Sequence, residues 1–190
     1  VDHDAIYMPR AGWFIGDSDA HDLVADARWR GETHRLVYAN TRFSCVSAID
    51  DQFSFRPLWT PPFITALAPG DRCHLNGVCD QDGDLAFATM CAETDGRLGW
   101  RSRERIGRGI VMDMRTDQVV CRGLTMPHSP RWHDGKLWLL DSGTATLGYV
   151  DFDSRTLVPV ATVPGFARGL VFVGSHAVIG LSKLRHIDPG

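Results

Sequence analysis

The chain has 190 residues, 44% of them hydrophobic, enough apolar material for one domain with a sizeable core. Its 20 basic and 23 acidic residues are scattered for a net charge of −3, so no basic field is available to neutralise phosphates and nucleic acid is not an expected partner. The longest apolar runs, such as Leu137–Leu140 and Leu170–Val173, are strand-sized, so no membrane span is expected.

Reading from the start, Val1–Arg10 lacks the basic start, apolar middle and small-residue cleavage site of a secretion signal. Five cysteines, Cys45, Cys73, Cys79, Cys91 and Cys121, lie in or beside apolar runs and include no C-x-x-C pair. That usage points to buried thiols in a reducing, cytoplasmic setting and away from a cysteine metal site.

A repeat then emerges from the punctuation. Ala5–Arg10 reads as an outer strand, with residues 1–16 a remnant of a preceding unit. In the first repeat, residues 17–60, His21-Asp22-Leu23 opens a strand, Gly31 turns it, and strands follow at Leu36–Ala39, Val46–Asp50 and Phe55–Trp59. In the second, residues 70–122, His74-Leu75-Asn76 opens the unit, Gly83 turns it, and Leu85–Ala88, Ile110–Asp113 and Val119–Arg122 follow. The third, residues 126–163, has His128-Ser129-Pro130, Gly135, Leu137–Leu140, Tyr149–Asp151 and Leu157–Val163. The fourth, residues 166–190, has Arg168-Gly169-Leu170, Gly174, Ala177–Ile179 and His186–Asp188, and lacks an outermost strand. Glycine after aspartate between apolar runs favours tight hairpins, because the positive φ of such turns costs glycine nothing.

Short antiparallel strands repeating every roughly 40 to 50 residues match the blades of a β-propeller. The fold class is therefore all-β: a propeller fragment of about four blades of four strands, expected from a six-bladed parent whose remaining blades are its first partners. A helical reading fails because almost no stretch holds apolar residues at helical spacing over three turns, and prolines and glycines fall every few residues. A sandwich does not predict the same landmark order four times. An open ring leaves unpaired edges, so the segment alone is expected to aggregate or oligomerise.

Strand alternation places function. The short glycine turns occupy one face; the long segments Thr60–Cys73 and Met90–Gly109 occupy the other, where His21, His74, His128 and Arg168 open the innermost strands. The second strands leave at that face through Asn40, Thr41 and Arg42, then Glu93 and Asp95, then Asp141 and Ser142, then Ser182 and Lys183, with Asn76 close by. His21, His74 and His128 are the candidate ligands of a divalent metal, zinc by preference, because neutral imidazole is its commonest ligand and three leave a position open. Arg168, Arg42, Asn40, Asn76, Glu93, Asp95, Asp141, Ser142 and Lys183 are the candidate ligand-binding residues. Hydrogen bonding to an organic ligand and plain structural packing are the alternatives for the histidines. The expected partner is a small-molecule ligand or substrate. Met90–Gly109 also carries several arginines, a clamp for an anion or a solvated loop. His3, His34, His133, His176 and His186 lie off the register and read as surface residues.

The segments His21-Asp22-Leu23, Asn40-Thr41-Arg42-Phe43-Ser44-Cys45, Asp71-Arg72-Cys73-His74-Leu75-Asn76-Gly77, Glu93-Thr94-Asp95 and Met126-Pro127-His128-Ser129-Pro130-Arg131-Trp132 carry a resemblance, with Pro61-Pro62-Phe63-Ile64 and Gly180-Leu181-Ser182-Lys183. The chain is similar to a family of bacterial conserved hypothetical proteins, a domain of unknown function sometimes labelled as tetratricopeptide proteins. The resemblance implies a propeller-like fold within a longer parent and brings no activity; the label lacks support, since paired amphipathic helices are missing. At fold level the third repeat also resembles the NHL-type blade of the peptidyl-hydroxyglycine amidating lyase, a family that holds zinc with channel histidines. Taken together, a metal-dependent lyase or hydrolase acting on a small polar substrate is one expectation. A non-catalytic propeller that binds a small molecule or partner protein is the other.

Overall fold

The computed structural model describes residues 5–102 and 106–182. Three antiparallel meanders follow one another: β1 (Ala20–Trp29), β2 (Glu32–Asn40), β3 (Cys45–Ala48) and β4 (Arg56–Trp59); then β5 (Leu75–Gln81), β6 (Asp84–Met90), β7 (Gly109–Asp113) and β8 (Gln118–Leu124); then β9 (Pro127–His133), β10 (Lys136–Asp141), β11 (Thr146–Asp151) and β12 (Thr156–Thr162). A fourth hairpin pairs β13 (Phe166–Val173) with β14 (His176–Ser182). The expected strand His186–Asp188 lies outside the described residues, and Ala5–Arg10, expected as a strand, has no regular structure. Among the described residues no helix is long and apolar enough to cross a membrane.

The hairpin turns explain the regular spacing. Arg30-Gly31, Asp82-Gly83 and Asp134-Gly135 each place both central residues at positive φ, the type I′ arrangement whose twist matches the flanking strands.

Each sheet packs face to face on the next. Val37, Ala39, Val46 and Trp59 of the first sheet meet Val78, Leu85, Ala88, Met90 and Met112 of the second. Phe87, Val111 and Cys121 of the second meet Leu137, Leu139 and Val150 of the third. Leu140 and Leu147 of the third meet Ala167 and Leu170 of the hairpin. The core is thus a series of layers between blades, and β1, β5, β9 and β13 lie side by side as the innermost strands. This is the propeller-like, all-β fold. β6 shows the consequence: every residue after Asp84 is buried, because a blade lies on each side of it. Gly77 of β5 fits where a Cβ would run into Thr89 and Pro130, so it lets β5 and β9 approach. The five cysteines are buried and free. Burial pushes the thiols of Cys73, Cys79 and Cys121 up to about 12 and that of Cys45 up to about 11, so none is a ready nucleophile.

Candidate functional site

The inner strands enter, and the second strands leave, at the end of the blades opposite the glycine turns. Ala20 pairs with Asn40 there, while Trp29 pairs with Glu32 at the far end. The long loop after β6 returns to the same end, where Trp100 stacks on His74 with ring centroids 3.9 Å apart. Long loops and histidines therefore share one face.

Register places the side chains. Ala20, Leu75 and Pro127 each pair with the last residue of their second strand, at Asn40, Met90 and Asp141, and Ala167 pairs with Leu181, the last but one of β14. The residues that follow them, His21, Asn76, His128 and Arg168, stand at one equivalent position, next to a bulge in all four innermost strands. His74 is not among them. It occupies the place of Asp19 and Met126, and all three sit in the left-handed region at φ 51, 48 and 53. The shared register expected of three histidines holds for His21 and His128 only; in the second blade Asn76 takes that position.

His74 nevertheless reaches its neighbour, for the rings of His21 and His74 lie edge to face with centroids 4.8 Å apart. The Nδ1 atoms of all three are tied down. His21 Nδ1 lies 2.7 Å from the Asp19 carbonyl and 2.8 Å from Thr41 Oγ1, whose own proton goes to the Leu75 carbonyl of the next blade at 2.6 Å. His128 repeats the device: Nδ1 lies 2.8 Å from the Met126 carbonyl and 2.9 Å from Ser142 Oγ, which donates to the Ala167 carbonyl of the next blade at 2.6 Å. His74 Nδ1 faces Asp71 Oδ1 at 2.9 Å, and Trp100 Nε1 donates to the other carboxylate oxygen at 2.7 Å. A carbonyl only accepts, and each hydroxyl has committed its proton, so Nδ1 of His21 and of His128 must carry the hydrogen, and Nε2 of each neutral ring keeps its lone pair; Nδ1 of His74 likewise donates to the Asp71 carboxylate, which leaves its Nε2 outside that bond. Burial, with Arg168 nearby, holds His128 down at about 3, and burial lowers His21 as well. Both are neutral at ordinary pH.

Below the histidines an ion pair crosses the axis. Arg131 of β9 makes two parallel bonds of 2.9 Å to the Asp22 carboxylate of β1 and a third, also 2.9 Å, to the Leu170 carbonyl of β13. It ties the first, third and fourth blades together.

The other candidates divide. Ser142 belongs to the histidine network. Asn76 is buried, accepting from Thr89 and donating to Cys91 Sγ, and Asn40 is buried between Ser47 and the Phe43 amide. Asp141 accepts from the Thr125 amide and from Thr144 Oγ1, with burial raising its pKa. Asp95 pins the two long loops together through Arg72 and Thr65, and Glu93 turns outward to Arg122 of β8. All five have hydrogen-bond or ion-pair partners within the chain. Arg42 is half-exposed and pairs with Asp17; Arg168 is exposed with no ion pair to a described residue. Lys183 lies outside the described residues, as do His3 and His186. His34, expected at the surface, is buried instead because β2 turns it inward, and burial lowers its pKa. Among the described residues no three of His, Cys, Asp and Glu form a ready-made metal cluster.

Sequence reasoning missed Asp71, Trp100, Asp22 and Arg131, and placed Thr41 at this face without giving it a role. A hydroxyl one residue past the second strand in the first and third repeats, Thr41 and Ser142, was the available signal. Among known families, the one described as Domain of unknown function (DUF4915) matches residues 1–188. A search of curated proteins finds no match.

Proposed function

The chain belongs to this family of unknown function, and from its geometry we propose that the mouth formed by His21, His74 and His128 holds one divalent metal in a lyase or hydrolase acting on a small polar substrate. One observation carries the reading. Each Nδ1 is fixed by a carbonyl or carboxylate, so three Nε2 lone pairs remain at one face, the arrangement by which ligating histidines are oriented. Three neutral nitrogens suit zinc over calcium, which prefers oxygen. A metal so held would activate water or polarise a carbonyl. Arg168, exposed and without a carboxylate partner among the described residues, would orient an anionic group of the substrate. Elemental analysis of protein purified without chelator tests this: about one zinc per chain is expected from the donor set, and its absence removes the metal.

A second reading, a non-catalytic propeller that binds a small molecule or partner protein, is favoured by the lack of a ready-made cluster among the described residues. On that reading the imidazoles accept hydrogen bonds from the ligand at Nε2, and metal content is nil while ligand affinity still falls when the histidines are removed.

A further inference from the structure

Beside the histidines the same face carries a cleft of about 240 Å³, walled by Asp19, Arg42, Asp71, Arg97, Leu98 and Arg101 among others. Its backbone is held in place from several sides. The amides of Gly70 and Asp71 both donate to the Arg42 carbonyl, at 2.8 and 3.0 Å, and the Leu98 amide donates to the Gly70 carbonyl at 2.9 Å. The Trp100 amide donates to the Arg72 carbonyl at 3.2 Å. Three wall residues, Asp19, Asp71 and Leu98, have positive φ, at 48, 43 and 54, a conformation that a bulky leucine adopts only where its surroundings impose it.

The charges on these walls are unevenly committed. Asp71 spends one oxygen on His74 and the other on Trp100, and Arg42 is paired with Asp17. Arg97 and Arg101 have no carboxylate partner among the described residues. Arg101 instead lies over Trp100, 5.0 Å from its ring, and Trp100 lies on His74, so one stack runs from the guanidinium to the imidazole. Two planar forks with no carboxylate partner among the described residues, on pinned backbone and facing a cavity, suit an oxyanion more than bulk water.

We infer that this cleft is an anion subsite, taking a carboxylate or phosphate group of a small molecule on Arg97 and Arg101, with Arg42 at its edge. The inference deepens the reading of the mouth as a ligand site, because Asp19 and Asp71 wall the cleft and also hold His21 and His74. A substrate anchored here places its uncharged part beside the imidazoles.

The test is calorimetric titration of inorganic phosphate, and separately of malonate, into the full chain stripped with EDTA at low salt. Saturable binding of at least one probe is expected, and the probe that binds tells phosphate from carboxylate. Arg97→Gln with Arg101→Gln should weaken it roughly tenfold or more, while Arg122→Gln, which removes an exposed arginine on β8, should leave it unchanged. Arg97→Lys with Arg101→Lys keeps the charge and should still weaken binding, which guards against a glutamine variant that does not fold. No saturable binding of either probe, or an equal loss in the Arg122 variant, overturns the subsite. The protein carries no metal in this experiment, so its failure leaves the metal reading untouched.

Discussion

Replacing Arg131 by methionine keeps most of the side chain's stem and removes its fork. The Asp22 carboxylate, with its side chain 10% exposed, then loses its only cationic partner among the described residues and keeps the Leu23 amide at 3.0 Å and a 3.4 Å contact from the Val78 amide, and the Leu170 carbonyl loses its donor. Breaking a buried pair from one side costs about 3–5 kcal/mol, and because the Arg131 side chain is 29% exposed the lower end applies, about 3 kcal/mol. For a chain of this length that is a fall of about 6–12 °C in melting temperature. Urea unfolding and thermal melts of Arg131→Met, Asp22→Asn and the double variant form a cycle. The double variant should recover much of the loss, with a coupling of about 2 kcal/mol. A cost below about 1 kcal/mol with no coupling would mark the pair as an ordinary surface salt bridge and refute the cross-axis tie.

Other substitutions probe the packing and the histidine network. Gly77→Ala should destabilise by about 1–3 kcal/mol in the same melts, since the new methyl meets Thr89 and Pro130 between two inner strands. Asp71→Asn should weaken zinc binding about 10–100-fold in competition with a chelator, because His74 loses the carboxylate that fixes its tautomer. His128 is held neutral down to about 3 in the folded state, so between pH 6.5 and 5 the unfolded chain takes up a proton that the folded chain refuses. Stability is therefore fully present above about 6.5 and is lost as pH falls. In metal-free protein, His128→Gln should remove about 1.5 kcal/mol of the decline measured by urea unfolding between those two pH values.

The blades were legible because their punctuation is local. A type I′ turn demands positive φ at two adjacent residues, and Asp82-Gly83 and Asp134-Gly135 advertise it in the chain itself. The histidine register was only half legible, for a physical reason. The innermost strands are bulged, so alignment by residue type set His74 against His21, whereas the hydrogen-bonded partners set Asn76 there and His74 against Asp19. Glu93 and Asp95 read as ligand groups because exposed carboxylates look alike in sequence; Arg122 and Arg72, which claim them, are 29 and 23 residues away. The Asp22 to Arg131 tie spans 109 residues and exists only because three blades curve around one axis, which no local pattern encodes.

The central claim, that three Nε2 lone pairs form one metal site, is tested most directly by titrating zinc into the EDTA-stripped full chain and into its His21→Ala, His74→Ala, His128→Ala triple variant. The account predicts a single saturable site per chain in the first, lost in the second while the variant keeps its β-sheet circular dichroism. Equal zinc binding by both proteins, or none by the unsubstituted chain, would contradict it.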